Sequence, residues 1–214
     1  AINIGTAPTW DPVIGNDTAN GSTQKMTLAA WVYKAGDGGG NFGRIFHFGT
    51  GSAAVMVYTD TNERIYFHAP FSSTEGKWYT TSTGVITTGA NKRWNHVVLT
   101  YDATSISNDP QIYVDGQKLA VSEQTTPAGN YSGITAGAGS EACYIGNRSD
   151  GLRTWEGNLA DAAVWNTILS SEDIAAVFNA SKLSDNYGPG TTYNQLPGFH
   201  KTHRNNLCKI TRTE

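Results

Sequence analysis

Chemistry on a polypeptide needs side chains of the right type within reach of one another, and this 214-residue chain offers few such sets. His96 stands in "KRWNHVVLTYD" (92–102), at the head of an alternating run. Alternation places Trp94, His96 and Val98 on one strand face. A histidine among apolar neighbours reads as a packed, structural residue rather than a catalytic or metal-binding one. His200 and His203 form a His-x-x-His in a polar tail, a spacing that seats a metal only where further ligands converge. Hydrolysis of glycosides needs two flanking carboxylates, about 5–5.5 Å apart for retention. Glu63, Glu75, Glu123, Glu141, Glu156 and Glu172 stand apart, and Asp60 and Glu63 fall on opposite faces of a regular strand. There is no Gly-x-Ser-x-Gly, and neither cysteine pairs with a histidine. These absences predict a chain that is not an enzyme.

Recognition chemistry fares better. Sugar sites stack rings on exposed aromatics and orient hydroxyls with Asn, Asp and Arg. Trp78, Tyr79, Tyr131 and Trp155 lie in or beside predicted loops, whereas Trp31, Trp94 and Trp165 read as core. Trp155 and Trp78 are therefore the expected stacking residues, with Arg148 and Asp150 of "YIGNRSDG" beside them. Asn-x-Ser/Thr triplets at Asn16, Asn20, Asn130, Asn147 and Asn179 are close to chance in a chain this rich in those residues.

The elements that must position these groups are mostly strands. Aromatics make up 11% and charged residues only 15% of the chain, a balance that suits pleated surfaces. "AINIG", "MTLAAWVYK" (26–34), "GRIFHFG" (43–49), "AAVMVYTD" (53–60), "RIYFHA" (64–69), "KWYTTST", "GVITTGA", "WNHVVLTYD" (94–102), "QIYVDGQKLAV" (111–121), "EACYIGNR" and "WEGNLADAAVWN" read as strands. Turn signals recur every ~8–12 residues, as in a sandwich or jelly roll. Asp115-Gly116 marks a tight hairpin, and 122–140 reads as a long loop. One helix is expected, at "LSSEDIAAVFN" (169–179). Ser170 or Ser171 would cap it, Glu172 and Asp173 would face the helix dipole, and Ile174, Val177 and Phe178 would form its apolar face. It is expected to dock at the sandwich edge.

Four motifs in this order, "MTLAAWVY", "RWNHVVLTYD", "IYVDGQKLA" and "YIGNRSDG…WEGNLADAAVWNTILSSEDIAAVFN", resemble the laminin-G-like and pentraxin branch of the concanavalin A-like jelly rolls. The resemblance covers roughly residues 1–180. It implies an all-β fold: a jelly-roll sandwich of two antiparallel sheets with a short edge helix. In it, Trp94 and His96 are structural. Its glucanase members carry a Glu-x-Asp-x-x-Glu run that this chain lacks. Its calcium-binding members imply ligands at Asn62 and Glu63, with Asp60 as a nearby substitute, and at Asp150. Arg148 stands where an acidic ligand is expected and would itself fill the cation's place. Asp161 is the ligand implied for a different, backbone-rich calcium site. Calcium is thus the one cofactor to consider, and the resemblance favours an extracellular or virion-surface setting.

A chain of this length buries roughly 70–75% of its unfolded surface without needing disulfides. Its net charge of −3 and lack of a basic run before the tail argue against nucleic acid. No apolar run approaches the ~20 residues of a membrane span. Cys143 lies in the apolar "ACYIG" and reads as a small buried hydrophobe more readily than as a disulfide partner of Cys208. The start inside a strand suggests a segment of a longer or processed protein. Residues 181–214 read as an extended C-terminal arm, suited to wrap the domain or reach a neighbouring subunit. Three functions follow: a glycan-binding module with possible calcium support, a structural or assembly module, and, least supported, a glycoside hydrolase.

Overall fold

Strong two-residue alternation builds the two faces of two antiparallel sheets, seen in a computed structural model that describes residues 1–51, 53–134, 142–181 and 208–209. One sheet contains β1 (Ile2–Thr6), β11 (Ala142–Ile145), β3 (Arg44–Thr50), β4 (Ala53–Thr59), β5 (Ile65–Ala69), β6 (Gly76–Thr80) and β10 (Val121–Thr125), in that order. The other runs β13 (Cys208–Lys209), β12 (Gly157–Trp165), β2 (Lys25–Lys34), β7 (Trp94–Asp102), β8 (Gln111–Val114) and β9 (Gln117–Leu119). Between them lie Leu28, Ala30 and Val32 of β2, Val97 and Leu99 of β7, Val55 and Val57 of β4, and Phe67 and Trp78 of β5 and β6. This is the expected all-β sandwich. Among the described residues no helix is long and apolar enough to cross a membrane.

Helix α2 (Ser171–Ser181) forms as the sequence predicts. Ser170 is its cap: its Oγ accepts from the Asp173 N–H at 3.1 Å, and the Asp173 carboxylate accepts from the Ser170 hydroxyl at 3.0 Å. Its position differs from expectation, because it lies across the outer face of the six-stranded sheet rather than at an edge. Ile174 packs on Ala29, Val98 and Tyr113. Phe178 stacks on Trp31 and His96. An apolar patch on an outer sheet face has to be covered, and α2 covers it.

Three segments depart from the sequence reading. Helix α1 (Ala7–Ile14) is not among the elements expected from the sequence, and Pro12 lies inside it. Pro8 sits in the first turn, where its missing N–H costs nothing. Ala7, Trp10 and Ile14 then bury the helix against the core, where Trp10 meets Phe48 edge-on. "GVITTGA" is not a strand: the Gly84 and Val85 N–H groups bond to Asn62 and Glu63 carbonyls, and the Thr87 N–H to the Asn95 amide oxygen. The start of the 122–140 loop is instead β10, which completes the seven-stranded sheet against β6. Of the C-terminal arm, only Cys208–Lys209 is described, paired with Val164 and Ala163 of β12; the His200 and His203 pair lies outside the described residues.

Candidate functional site

The face of the seven-stranded sheet turned away from the core carries an ordered row of polar aromatics. Register makes Tyr58 the cross-strand partner of Tyr66, and Tyr66 that of Tyr79. Their rings stack, with centroids 5.1 and 5.4 Å apart. The row continues to Ser122 of β10 at one end and to Arg44 of β3 at the other. Arg44 caps the stack, its guanidinium 4.1 Å from the Tyr58 ring centre. Arg64 leans over Tyr79 at 4.9 Å and Tyr66 at 5.5 Å. Such pairs gain from the ring quadrupole. Tyr66, in the middle of the stack, is 9% exposed and Tyr58 and Tyr79 are half-buried, so the row presents ring edges rather than open ring faces. Burial raises the pKa of Tyr58 and Tyr66 against the pull of the neighbouring arginines, so both remain neutral donors.

A second row runs alongside: Tyr144, His47, Met56, His68 and Lys77 are successive cross-strand partners. His68 is held by the Ala54 carbonyl at 2.6 Å and the Glu75 carboxylate at 3.0 Å, and Glu75 also pairs with Lys77. A bulge in β3 explains why Arg44 and His47, three positions apart, share this face. Ile45 and Phe46 both turn to the core, and the alternation resumes one residue out of step. The rim beyond Arg44 is built from two loops. Phe42, 39% exposed, meets Tyr58 edge-on at 6.0 Å and lies under the Arg153 guanidinium. The loop after β11 supplies Arg148, Asp150, Leu152 and Arg153, and its Asn147 side chain accepts from the Arg148 and Arg153 N–H groups. The Arg153 carbonyl accepts the Arg44 N–H at 3.1 Å, which ties the loop to the row.

The two tryptophans expected to be exposed are not. Trp78 is fully buried: it stacks on Phe67 and Tyr101 and donates to Asp109 at 2.8 Å. Trp155 is 6% exposed and donates to the Tyr33 carbonyl at 3.2 Å. Neither has a free face for a sugar ring. Tyr131 is also buried, its hydroxyl on the Ile14 carbonyl. Of the aromatics picked from the sequence, Tyr79 alone lies on the row. Trp94, expected in the core, is 38% exposed and pairs with Tyr33 at the end of its sheet. Arg148 and Asp150 do reach the rim, bound to each other through Arg148 Nε at 2.9 Å and a shorter second contact, and this pairing draws the Asp150 carboxyl down to about 2.

His96 is packed as the sequence predicts. Its ring is buried between Trp31 and Phe178, and burial lowers its pKa to about 4. Asp115 at the β8–β9 turn ties the neighbourhood together: it accepts the His96 N–H at 2.8 Å, the Asn95 amide at 3.0 Å and Arg93 at 3.0 Å. Cys143 is a buried thiol in the core.

The residues implied for calcium do not fit that ion. Asp60, Asn62 and Glu63 share the β4–β5 turn, but Asp60 Oδ1 accepts the Asn62 and Arg64 N–H groups, and Oδ2 takes the Arg64 guanidinium at 2.7 and 2.9 Å. Lys34, 1% exposed, brings its ammonium within 2.8 Å of Asp37, 3.1 Å of the Asp60 carbonyl and 3.7 Å of Glu63. Protein cations thus stand among the oxygens a metal would need. Asp150 belongs to Arg148, and Asp161 lies in a β12 bulge with φ 47°, a backbone shape aspartate tolerates. Among the described residues, no three His, Cys, Asp or Glu side chains gather in a way that could hold a metal.

Two packed antiparallel sheets, a helix laid on one outer face and a polar aromatic row on the other define a lectin-like sandwich. Residues 11–175 match the family described as the concanavalin A-like lectin/glucanases superfamily, and the chain belongs to it. A search of curated protein sequences finds no match. Solved structures share the fold. The heptameric SAP-like pentraxin of Limulus polyphemus is 16% identical, with 73% of this chain and 70% of that one covered and a TM-score of 0.50. The CBM40 of the Ruminococcus gnavus IT-sialidase is 11% identical, with 78% and 90% covered and a TM-score of 0.53; it has also been solved with alpha2,6 sialyllactose. The binding domain of botulinum neurotoxin DC, solved with SialylT, is 12% identical at a TM-score of 0.51; 77% of this chain matches only 38% of that one. At these identities the likeness is one of fold.

Proposed function

We propose that the chain is a non-catalytic, carbohydrate-binding module whose ligand lies along Tyr58, Tyr66 and Tyr79. The observation that carries this reading is the stacked row itself, three phenols in register on one sheet face with guanidiniums at its flanks. Tyrosine supplies rigid, amphipathic contact area at low entropic cost. A line of hydroxyls held by strands suits a polyhydroxylated ligand better than an apolar one. The fold is compatible with this use, since the Ruminococcus gnavus module was solved with a sialylated sugar. The carboxylates on this face are already engaged: Asp60 by Arg64, and Glu75 by Lys77 and the His68 ring. That arrangement supports binding rather than general acid–base work.

The test is a broad glycan array probed with the wild-type chain and with Tyr66→Phe/Tyr79→Phe, which keeps the rings and removes two hydroxyls. Binding is expected for the wild type and at least tenfold weaker for the variant at equal melting temperature. A wild type that binds no sugar would overturn the proposal. In this reading calcium is not required, because Lys34 and Arg64 already neutralise the acidic turn.

A further inference from the structure

The ionic groups on the tyrosine face are balanced at one end and unbalanced at the other. Toward β5 and β6, each described cation has a carboxylate: Arg64 has Asp60 and Lys77 has Glu75, which also accepts from the His68 ring. Around Arg44 the pattern changes. Arg44 is only 7% exposed and makes no ion pair among the described residues. Among the described residues its guanidinium makes one hydrogen bond, from Nη1 to the Phe42 carbonyl at 3.2 Å, and its buried Nε has no partner. Arg153 gives Nη1 to the Gly40 carbonyl at 2.8 Å and, more weakly, to that of Gly39 at 3.4 Å, and its Nε too is buried without a partner. His47 is 1% exposed, and among the described residues its ring has no side-chain partner, only the Gly49 backbone beside it. Arg153, Arg148 and Asp150 all lie within electrostatic reach of Arg44, and Arg44 and Arg148 within that of His47. Among the described residues Asp150 is the one carboxylate there, and Arg148 occupies it.

A buried cation without a counter-charge is costly, and a buried donor without an acceptor adds to that cost. Among the described residues, three arginines gather around one occupied carboxylate and lack negative charge, and the His47 ring, kept neutral by burial and by those arginines, adds an N–H donor beside them. Guanidinium is the side chain best matched to planar or tetrahedral oxyanions. Resting on the reading of the tyrosine row as a sugar-binding face, we propose that Arg44, His47 and Arg153 form a site for the oxyanion of an acidic sugar, a carboxylate or a sulfate ester, at the β3 end of that row. The sugar ring then runs over Tyr58 toward Tyr66, and its charged substituent lies against the rim that Phe42 and the Asn147–Arg153 loop build.

Matched ligand pairs test this on the intact chain. Calorimetric titrations with oligogalacturonides and with their neutral methyl esters isolate the carboxylate. Titrations with a sulfated galactan oligosaccharide and its desulfated counterpart isolate the sulfate. In at least one pair, the acidic member should bind at least tenfold more tightly than the neutral one, with an advantage that shrinks as salt rises. Arg153→Gln, on the partly exposed rim, should bring the acidic-to-neutral affinity ratio down toward one; Arg44→Gln, which is more deeply buried, is a second variant judged only if its melting curve matches the wild type. Equal binding of acidic and neutral members in both pairs overturns the oxyanion site and leaves the sugar reading standing. An acidic preference that survives in Arg153→Gln and in a folded Arg44→Gln also overturns it. No binding of any member overturns both.

Discussion

Trp78 and Trp155 each carry one polar atom into the sandwich and satisfy it there, on Asp109 and on the Tyr33 carbonyl. Alanine at either position should therefore act on stability, by about 3–5 kcal/mol for a buried aromatic, and denaturant melts will show it. A folded Trp78→Ala or Trp155→Ala protein with native stability and lost sugar binding would contradict that placement. His96 behaves differently because it titrates. The unfolded chain takes up its proton near 6.5, whereas the folded chain resists until about 4. Its contribution to stability is thus fully present above pH 6.5 and is lost as pH falls toward 4, by roughly 3 kcal/mol in all. His47, whose pKa falls likewise to about 4 by burial and the nearby arginines, adds to the same acid-lability. His96→Phe, packed between Trp31 and Phe178, should flatten the fall in melting temperature between pH 6.5 and 4.5. An unchanged pH profile would mean that His96 is not the sensitive group.

At the scale of elements, α2 shows how a short helix is held in place. Its cap joins Ser170 and Asp173 reciprocally, so Ser170→Ala should cost about 1 kcal/mol, read as a lower denaturation midpoint with the slope unchanged. No shift would show that packing of Ile174 and Phe178 alone sets the helix. The Asp115-Gly116 turn has φ values of 52° and 78°, the left-handed pair that a two-residue hairpin requires. The β3 bulge has the largest functional consequence. It moves Arg44 and His47 onto the same face, and a one-residue slip exchanges the two faces of a strand. Nothing in "GRIFHFG" announces that bulge. It follows from the pairing of β3 with β4, where Arg44 opposes Tyr58 and Phe46 opposes Val57.

For the whole molecule, the acidic turn between β4 and β5 bears on metal dependence. A ligand that binds only the native state raises the melting temperature by linkage. Because Lys34 and Arg64 already pair with Asp37, Asp60 and Glu63, millimolar Ca²⁺ added after EDTA should leave the melting temperature within about 1 °C. A rise of several degrees would restore calcium as a cofactor, with Asn62 and Glu63 the residues to substitute. The same measurement separates a module stabilised by metal from one whose loops are fixed by its own side chains.

Local physics alone determined much of this protein. Alternation fixed most strands, Asp-Gly its hairpin, and Ser-x-x-Asp the helix start, because each depends on residues adjacent in the chain. The order of four motifs placed those strands in a known sandwich. The sequence also separated His96 from any ligand role, since its apolar partners alternate beside it. Which tryptophan is buried, however, depends on what the opposite sheet brings over it, and exposure cannot be read from a loop-like neighbourhood. The tyrosine row joins residues from β4, β5 and β6 through register, and Arg44 and Arg153 meet only because the loop after β11 packs on β3. Lys34 became a buried partner of the acidic turn for the same reason. Those contacts span long stretches of chain, and only the packing of the two sheets and their loops decides them.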